Sequence, residues 1–494
     1  MTGEAASRES ASWGTTGWGT MSRKAAGGEA MTGEAADRDW VIAVRGADRG
    51  DLAVTLDTIA IAAARLPSAA LGQFALEMAA APVFPGLRAR AAIVARDPAQ
   101  LAERARAAAA TLRGQPAESG VREIGGAGPS PAGPGGHGSG YVSEGAAGRV
   151  ALLFPGLAGT GAEHSAVLSA SMATLGTVER LGLRPRLAVG YSFGEIAGLA
   201  WAGVLTFGEA ARLAAHRAEI IRATPGRAAM ARLHAGPGTV AELCAGTGLT
   251  VAAHEGPAHH VLAGPVPDIR ELPRRAAEMG VEAEVLGLPH GLHSPAMRPS
   301  AAPMRAVVDG LRFAGPRQRL ISTVTGLDIT GSADPPGLIA DQLTRPALLA
   351  GALALARADA DLILLTARDP ALAAIAGESA RVPVVRAPLD PRPGTVAPSA
   401  LAAFFAARAI DSVLPFLPDG PRQTLIPRQA PARQAPVHPA PVPGHPPEPG
   451  QPAVPRQTGQ ATGEEPAARA TDGSQSGRSG IPDRPSEGSL TPRI

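Results

Sequence analysis

Residues 187–203 read LAVGYSFGEIAGLAWAG. A short apolar run ends at Gly190, passes through Tyr191, Ser192, Phe193 and Gly194, and enters a run of small and apolar residues. Strand, tight turn and helix together make a nucleophile elbow, which lifts a serine Oγ off the end of a strand. The next backbone N–H, that of Phe193, then faces a developing oxyanion, and the helix N-terminus adds a favourable field. The bare G-x-S-x-G pattern is weak, because 60 glycines in 494 residues make roughly 0.4 matches by chance. The flanking strand and helix make Ser192 a candidate nucleophile.

Outward from the elbow, strands and helices alternate from 148 to 376, which predicts a parallel α/β domain. Within it, AAMARLH (228–234), LTVAAHE (249–255), HHVLAG (259–264) and VEAEVLGL (281–288) read as strands. TVAELCA (239–245) and VPDIRELPRRAAEMG (266–280) read as helices between them. The order βαββαβ predicts a ferredoxin-like subdomain over 228–288, inserted after the elbow. Upstream, WVIAVRG, 51–65, ARAAIVAR (89–96) and 97–113 alternate strand, helix, strand, helix, so 39–113 is expected to be a small α/β domain. Residues 114–147 read as a Gly/Pro linker, and 377–425 as a segment following the main domain, with a helix and SVLPF near its end. Residues 1–38 and the proline-rich 426–494 are expected to be disordered. MTGEAA occurs at 1–6 and again at 31–36, and Met21 and Met31 are alternative starts.

Composition excludes several classes of function. A net charge of +2 with no basic stripe interleaved with aromatics argues against nucleic-acid binding. The most apolar stretches, around 53–83 and 346–376, carry charges such as Asp57, Arg65, Arg357 and Asp361, so no membrane span is expected. The single cysteine, Cys244, and the lack of a signal-like N-terminus predict a reducing, cytoplasmic setting. No metal-ligand set is visible.

A serine nucleophile needs a base. Most of the 11 histidines lie in the tail, the linker or the inserted subdomain. His290 and His293, in GLPHGLHSPAM directly after the last strand of the insert, share the candidacy.

Four segments in order, GRVALLFPG (148–156), VGYSFGEIAGLAWAGVLTFGEAARLAAHR (189–217), GLHSPAM (291–297) and ISTVTG (321–326), resemble the acyltransferase domain of type I polyketide synthases. That family is related to malonyl-CoA:acyl-carrier-protein transacylases. The run STVTG…ADQLTRPALLAGALA is closest in flavour to enediyne and polyunsaturated-fatty-acid synthases. The resemblance implies a hydrolase-like parallel-sheet core and makes the domain at 39–113 adaptor-like. It also implies roles: Ser192 carries the acyl group, His293 is the base, and Phe193 and Leu157 offer backbone N–H groups to the oxyanion. Arg217, 25 residues after Ser192, takes the place of the arginine that grips the acyl carboxylate. Gln342 takes the place of the glutamine whose main-chain carbonyl orients the histidine. Tyr191, His290 and Leu292 fall at pocket positions. The implied reaction moves a malonyl-type group from CoA to the phosphopantetheine thiol of an acyl carrier protein, with no tightly bound cofactor and with a ketosynthase as a further partner.

The chain departs from the family in places. Leu157 and Ala158 replace Gln-Gly after Phe154-Pro155-Gly156, Tyr191 replaces a histidine, and Leu292 replaces a phenylalanine. TARDP (366–370) stands where a glycine-rich turn is usual, and Pro289 where a serine is usual. Only 36 residues separate Gly156 from Ser192, several tens fewer than usual, so helices there are expected to be missing or rebuilt. A degenerate domain that docks a synthase or carrier protein is the alternative reading. An ordinary α/β-hydrolase is a third, which explains neither the insert nor Arg217.

Overall fold

The computed structural model describes residues 38–83, 86–114, 120–124, 140–156, 164–288, 290–330, 334–386 and 396–417. The readings made above for 1–37, for Leu157 and Pro289, and for 418–494 lie outside them.

The first unit runs β1 (Trp40–Gly46), α1 (Arg49–Ala63), α2 (Leu71–Ala80), β2 (Ala89–Ala95), α3 (Pro98–Gly114), β3 (Gly120–Glu123) and β4 (Gly140–Glu144). Its antiparallel sheet has the order β1-β2-β4-β3. Trp40, Ile42 and Val44 of β1 pack with α1, α2 and α3, while Val41 and Ala43 face the other way into the main core. Burial on both faces explains why β1 and β2 read as nearly continuous apolar runs. Two features differ from the sequence reading. Residues 71–80 form a helix that was not expected, and the stretch expected to be linker contributes β3 and β4. Glycine-rich flanks hide β4, and a Cβ on Gly140 at its start would lie 2.4 Å from the Ala92 carbonyl oxygen.

The main domain begins with β5 (Val150–Phe154), α4 (His164–Arg180), β6 (Leu187–Gly190), α5 (Gly194–Trp201) and α6 (Phe207–Ala223). Thr206 and Glu209 cap α6 reciprocally, each side chain receiving the other's backbone N–H. The inserted subdomain follows as β7 (Ala228–His234), α7 (Pro237–Cys244), β8 (Thr250–His254), β9 (His259–Pro265), α8 (Val266–Glu278) and β10 (Glu282–Leu286). Its antiparallel order, β10-β7-β9-β8, is ferredoxin-like, and it has its own core around Leu233, Leu262, Ile269 and Leu272.

The chain then returns through α9 (Ala301–Asp309), β11 (Arg319–Ser322), β12 (Leu327–Asp328), α10 (Pro335–Asp341), α11 (Leu349–Ala356), β13 (Leu362–Leu365), α12 (Pro370–Ala380) and β14 (Val384–Arg386). The six-stranded sheet has the order β12-β11-β6-β5-β13-β14, parallel except for β12. β5, β6 and β13 are buried along their full length, as expected for parallel strands covered on both faces. β14 extends this sheet past residue 376, the end expected for the domain. The last described helix, α13 (Pro398–Ala406), packs against β1, β2 and β4, with Phe404 and Phe405 fully buried. The segment expected to follow the domain is therefore part of the packing between the first unit and the main core.

β5 and β6 are adjacent and parallel, and among the described residues α4 is the one helix that crosses between them. This short crossover places the C-terminal ends of both strands, and the turns after them, side by side. In open α/β sheets that is where ligands bind.

Candidate active site

Ser192 sits in the turn between β6 and α5 with φ 53°, a left-handed backbone that a non-glycine residue adopts at a cost of about 1–3 kcal/mol. The turn is made possible by its neighbours. A Cβ on Gly194 would lie 2.1 Å from the Phe154 carbonyl oxygen, and one on Gly190 2.8 Å from Glu195 Cα. Gly156, at the end of β5, is similarly close, since a Cβ there would lie 3.2 Å from Ser192 Cβ and 3.6 Å from Oγ.

His293 reaches the serine from the loop after the inserted subdomain. Its Nε2 lies 2.6 Å from Ser192 Oγ, and it too has positive φ, 60°. Burial, reinforced by the nearby Arg217 charge, pushes the imidazole pKa down to about 4. The main-chain carbonyls of Gln342 and Arg345 pull it partway back, although neither closes a hydrogen bond to Nδ1 in this conformation. At neutral pH the ring is uncharged and Nε2 can accept the serine proton.

Arg217, on α6, is fully buried. Its Nε donates to Gln342 Oε1 at 2.8 Å, and its Nη1 pairs with His164 Nε2 at 3.0 Å. Nη2 has no partner among the described residues, and the guanidinium lies 5.5 Å from the centre of the Phe193 ring. Burial lowers its pKa to about 9, so it remains a cation at pH 7. Gln342 joins the two halves of the site, because its Nε2 also donates to the Ser192 carbonyl at 2.6 Å. Phe193 N–H has no acceptor among the described residues.

The other sequence candidates lie less centrally. Tyr191 is buried with its hydroxyl donating to Glu255 Oε1 at 2.6 Å, and Glu255 in turn pairs with Arg232 at 3.1 Å. Its hydroxyl proton is therefore committed to the inserted subdomain. Leu292 is packed in the main core. His290 is buried, its Nδ1 lacks a partner among the described residues, and burial lowers its pKa. Of the two histidines considered as base, His293 is the one that touches Ser192.

The sequence reading missed three groups. His164, at the start of α4, meets Phe193 edge-on with ring centres 5.1 Å apart as well as pairing with Arg217. Glu195 accepts hydrogen bonds from Ser322 Oγ, Thr323 N and Val324 N, with Thr323 Oγ1 3.1 Å away, and burial pushes its pKa up to about 7 against these donors. Thr323 Oγ1 donates to the Gly190 carbonyl and lies 3.3 Å from Ser192 N. Glu195 was visible as a lone carboxylate inside GEIAGLA. His164 has no local signal.

Known proteins are similar to this chain in sequence and in fold. The family model described as "Acyl transferase domain" matches residues 104–335. Polyketide synthase GfsB of Streptomyces halstedii is 30% identical over 204 residues, which is 40% of this chain and 4% of that protein. Norsolorinic acid synthase of Emericella nidulans is 28% identical over 174 residues, 34% of this chain and 8% of that protein. The chain thus spans under a tenth of these two curated relatives. Among solved structures, the acyltransferase domain from module 8 of the salinomycin polyketide synthase shares the fold at TM-score 0.55 and 18% identity, covering 75% of this chain and 96% of that one. The acyltransferase domain of an iterative polyketide synthase in enediyne biosynthesis is 31% identical at TM-score 0.62, covering 76% of this chain and 98% of that one. Because the match spans nearly all of that domain at 31% identity and in fold, the chain belongs to the family of polyketide synthase acyltransferase domains.

Proposed function

We propose that this chain transfers a malonyl-type acyl group from CoA to the phosphopantetheine thiol of an acyl carrier protein through an acyl-Ser192 intermediate. The observation that carries this reading is a 2.6 Å Ser192–His293 contact in one network with a fully buried arginine that has no carboxylate partner among the described residues. A buried unpaired charge is costly, and an incoming carboxylate removes that cost.

Ser192 Oγ attacks the thioester carbonyl while His293 Nε2 takes its proton. The tetrahedral oxyanion takes a hydrogen bond from Phe193 N–H. The C–S bond breaks and CoA leaves with the proton from His293. The carrier thiol then gives its proton to His293 and attacks the ester, and Ser192 recovers that proton as it departs. Arg217 selects acyl groups that carry a second carboxylate. The reaction calls for CoA and a carrier protein and for no tightly bound cofactor. A cytoplasmic setting beside a ketosynthase fits this chemistry.

Intact-mass analysis after incubation with malonyl-CoA tests the proposal. We expect a malonyl adduct on the wild type, none on Ser192→Ala, and discharge by acyl carrier protein. Arg217→Ala should lose malonyl labelling by about a hundredfold while keeping acetyl labelling. No adduct with any acyl-CoA would instead support a domain that docks a synthase without transferring acyl groups.

A further inference from the structure

His164 was not among the residues that the sequence pattern marked, yet it touches both Arg217 and Phe193. Arg217 has five N–H hydrogens on three nitrogens. Gln342 takes the Nε hydrogen from one side and His164 takes one Nη1 hydrogen from the other. With Phe193 beneath the guanidinium, these two bonds fix both its position and its rotation. What remains is one Nη1 hydrogen and the two on Nη2, which has no partner among the described residues. One hydrogen from each of these two nitrogens is enough to hold the two oxygens of a carboxylate.

The chemistry of the second holder matters as much as its position. A carboxylate at 164 would also hold Nη1, but it would neutralise Arg217 and remove its attraction for a substrate anion. A neutral imidazole orients the cation and leaves its charge free. Burial and the charges of Arg217 and Arg222 push the His164 pKa down to about 4, so at pH 7 the ring has a lone pair on Nε2 to offer.

We propose that His164 is the specificity-determining positioning residue of this site, holding Arg217 so that its free Nη1 and Nη2 hydrogens receive the carboxylate of a dicarboxylic acyl group. The inference rests on the acyl-transfer reading above and is tested separately from it.

The variants are His164→Ala, His164→Gln and His164→Glu, compared with wild type and with Arg217→Ala. Ser192 labelling is measured against malonyl-CoA and acetyl-CoA, and binding of free malonate and acetate is measured by calorimetry. The unliganded melting temperature of each variant reports folding. We expect His164→Ala to raise KM for malonyl-CoA about tenfold, with kcat and acetyl labelling within twofold of wild type. His164→Gln, whose amide oxygen accepts the same hydrogen bond, should recover most of the loss. His164→Glu should lose malonyl preference as fully as Arg217→Ala. Equal losses for malonyl and acetyl in His164→Ala, or an unchanged preference in His164→Glu, would overturn the assignment. Should the wild type fail to label at all, the acyl-transfer reading fails. The malonate titration then decides this inference alone, with binding weakened about tenfold by His164→Ala supporting it and equal binding refuting it.

Discussion

Gly156 shows how little room Ser192 has. An added Cβ would press on Ser192 Cβ at 3.2 Å and lie 3.6 Å from Oγ, with Tyr191 Cδ1 also at 3.6 Å. Because Ser192 already holds a left-handed backbone, it has few ways to yield. Gly156→Ala should therefore slow Ser192 acylation about tenfold or more, with a change in unfolding midpoint too small to explain it. Single-turnover labelling set beside a denaturant titration checks this, and an unaltered rate would mean the turn absorbs the methyl. Glu195 acts at the same scale from below. By accepting backbone N–H groups of Thr323 and Val324, it ties the loop after β11 under the elbow, and Thr323 then holds the Gly190 carbonyl. The residues bearing on Ser192 are thus largely occupied with fixing its position.

At the scale of elements, the decisive contact is α5 against β5. Gly194 opens the helix, and a Cβ there would fall 2.1 Å from the Phe154 carbonyl oxygen and 2.8 Å from that of Pro155. Both are backbone atoms, so no side-chain rotation relieves the clash. Gly194→Ala should cost about 3 kcal/mol, or leave too little folded protein to measure. Gly208, in the first turn of α6, has nothing within 4 Å of an added Cβ. Gly208→Ala should raise stability by about 0.5–1 kcal/mol, since it only restricts the unfolded chain. Urea unfolding of the pair separates the two effects, and similar behaviour of both variants would refute the packing argument. The same logic explains a missed helix. α2 announces itself only through Gln73 and Glu77, four apart and hydrogen-bonded, because Leu71, Phe74, Ala75 and Met78 are buried and Gly72 lies against the Trp40 ring.

At the scale of the whole molecule, buried titratable groups around the elbow set opposing pH dependences on folding. His293 titrates near 4 when folded and near 6.5 when unfolded, so the unfolded chain binds the extra proton between those values. Stability from this group falls as pH drops from about 6.5 towards 4, and His164 acts in the same direction. Glu195 acts oppositely. Its folded pKa, about 7, lies above the unfolded value of about 4.5, so its contribution falls as pH rises through that window. Glu195→Gln removes only the second dependence. The thermal midpoint of that variant should climb more steeply than wild type between pH 4.5 and 6.5, and parallel curves would show that Glu195 does not titrate there. The first unit and the main core are also joined by buried charge. Arg90 on β2 donates to the Ile410 carbonyl and stacks over Phe405 of α13, binding the first unit to the main core.

The amino-acid sequence by itself determined the α/β class, the elbow around Ser192 and the order of the inserted subdomain, because each is written in neighbouring residues. Alternation, glycine spacing and apolar runs are local quantities, and local propensity was enough to place them. The family pattern added Arg217, His293 and Gln342 as residues to watch. Only the tertiary structure decided that His293 rather than His290 touches Ser192, and that Gln342 bridges Arg217 to the serine backbone through its side chain. It alone showed that α13 and β4 complete the packing of the first unit. His164 became visible in the same way, as the start of one helix brought against the middle of another. Contacts between residues 53 to 150 positions apart leave no periodic trace in the chain, because their partners are chosen by packing and not by sequence neighbours.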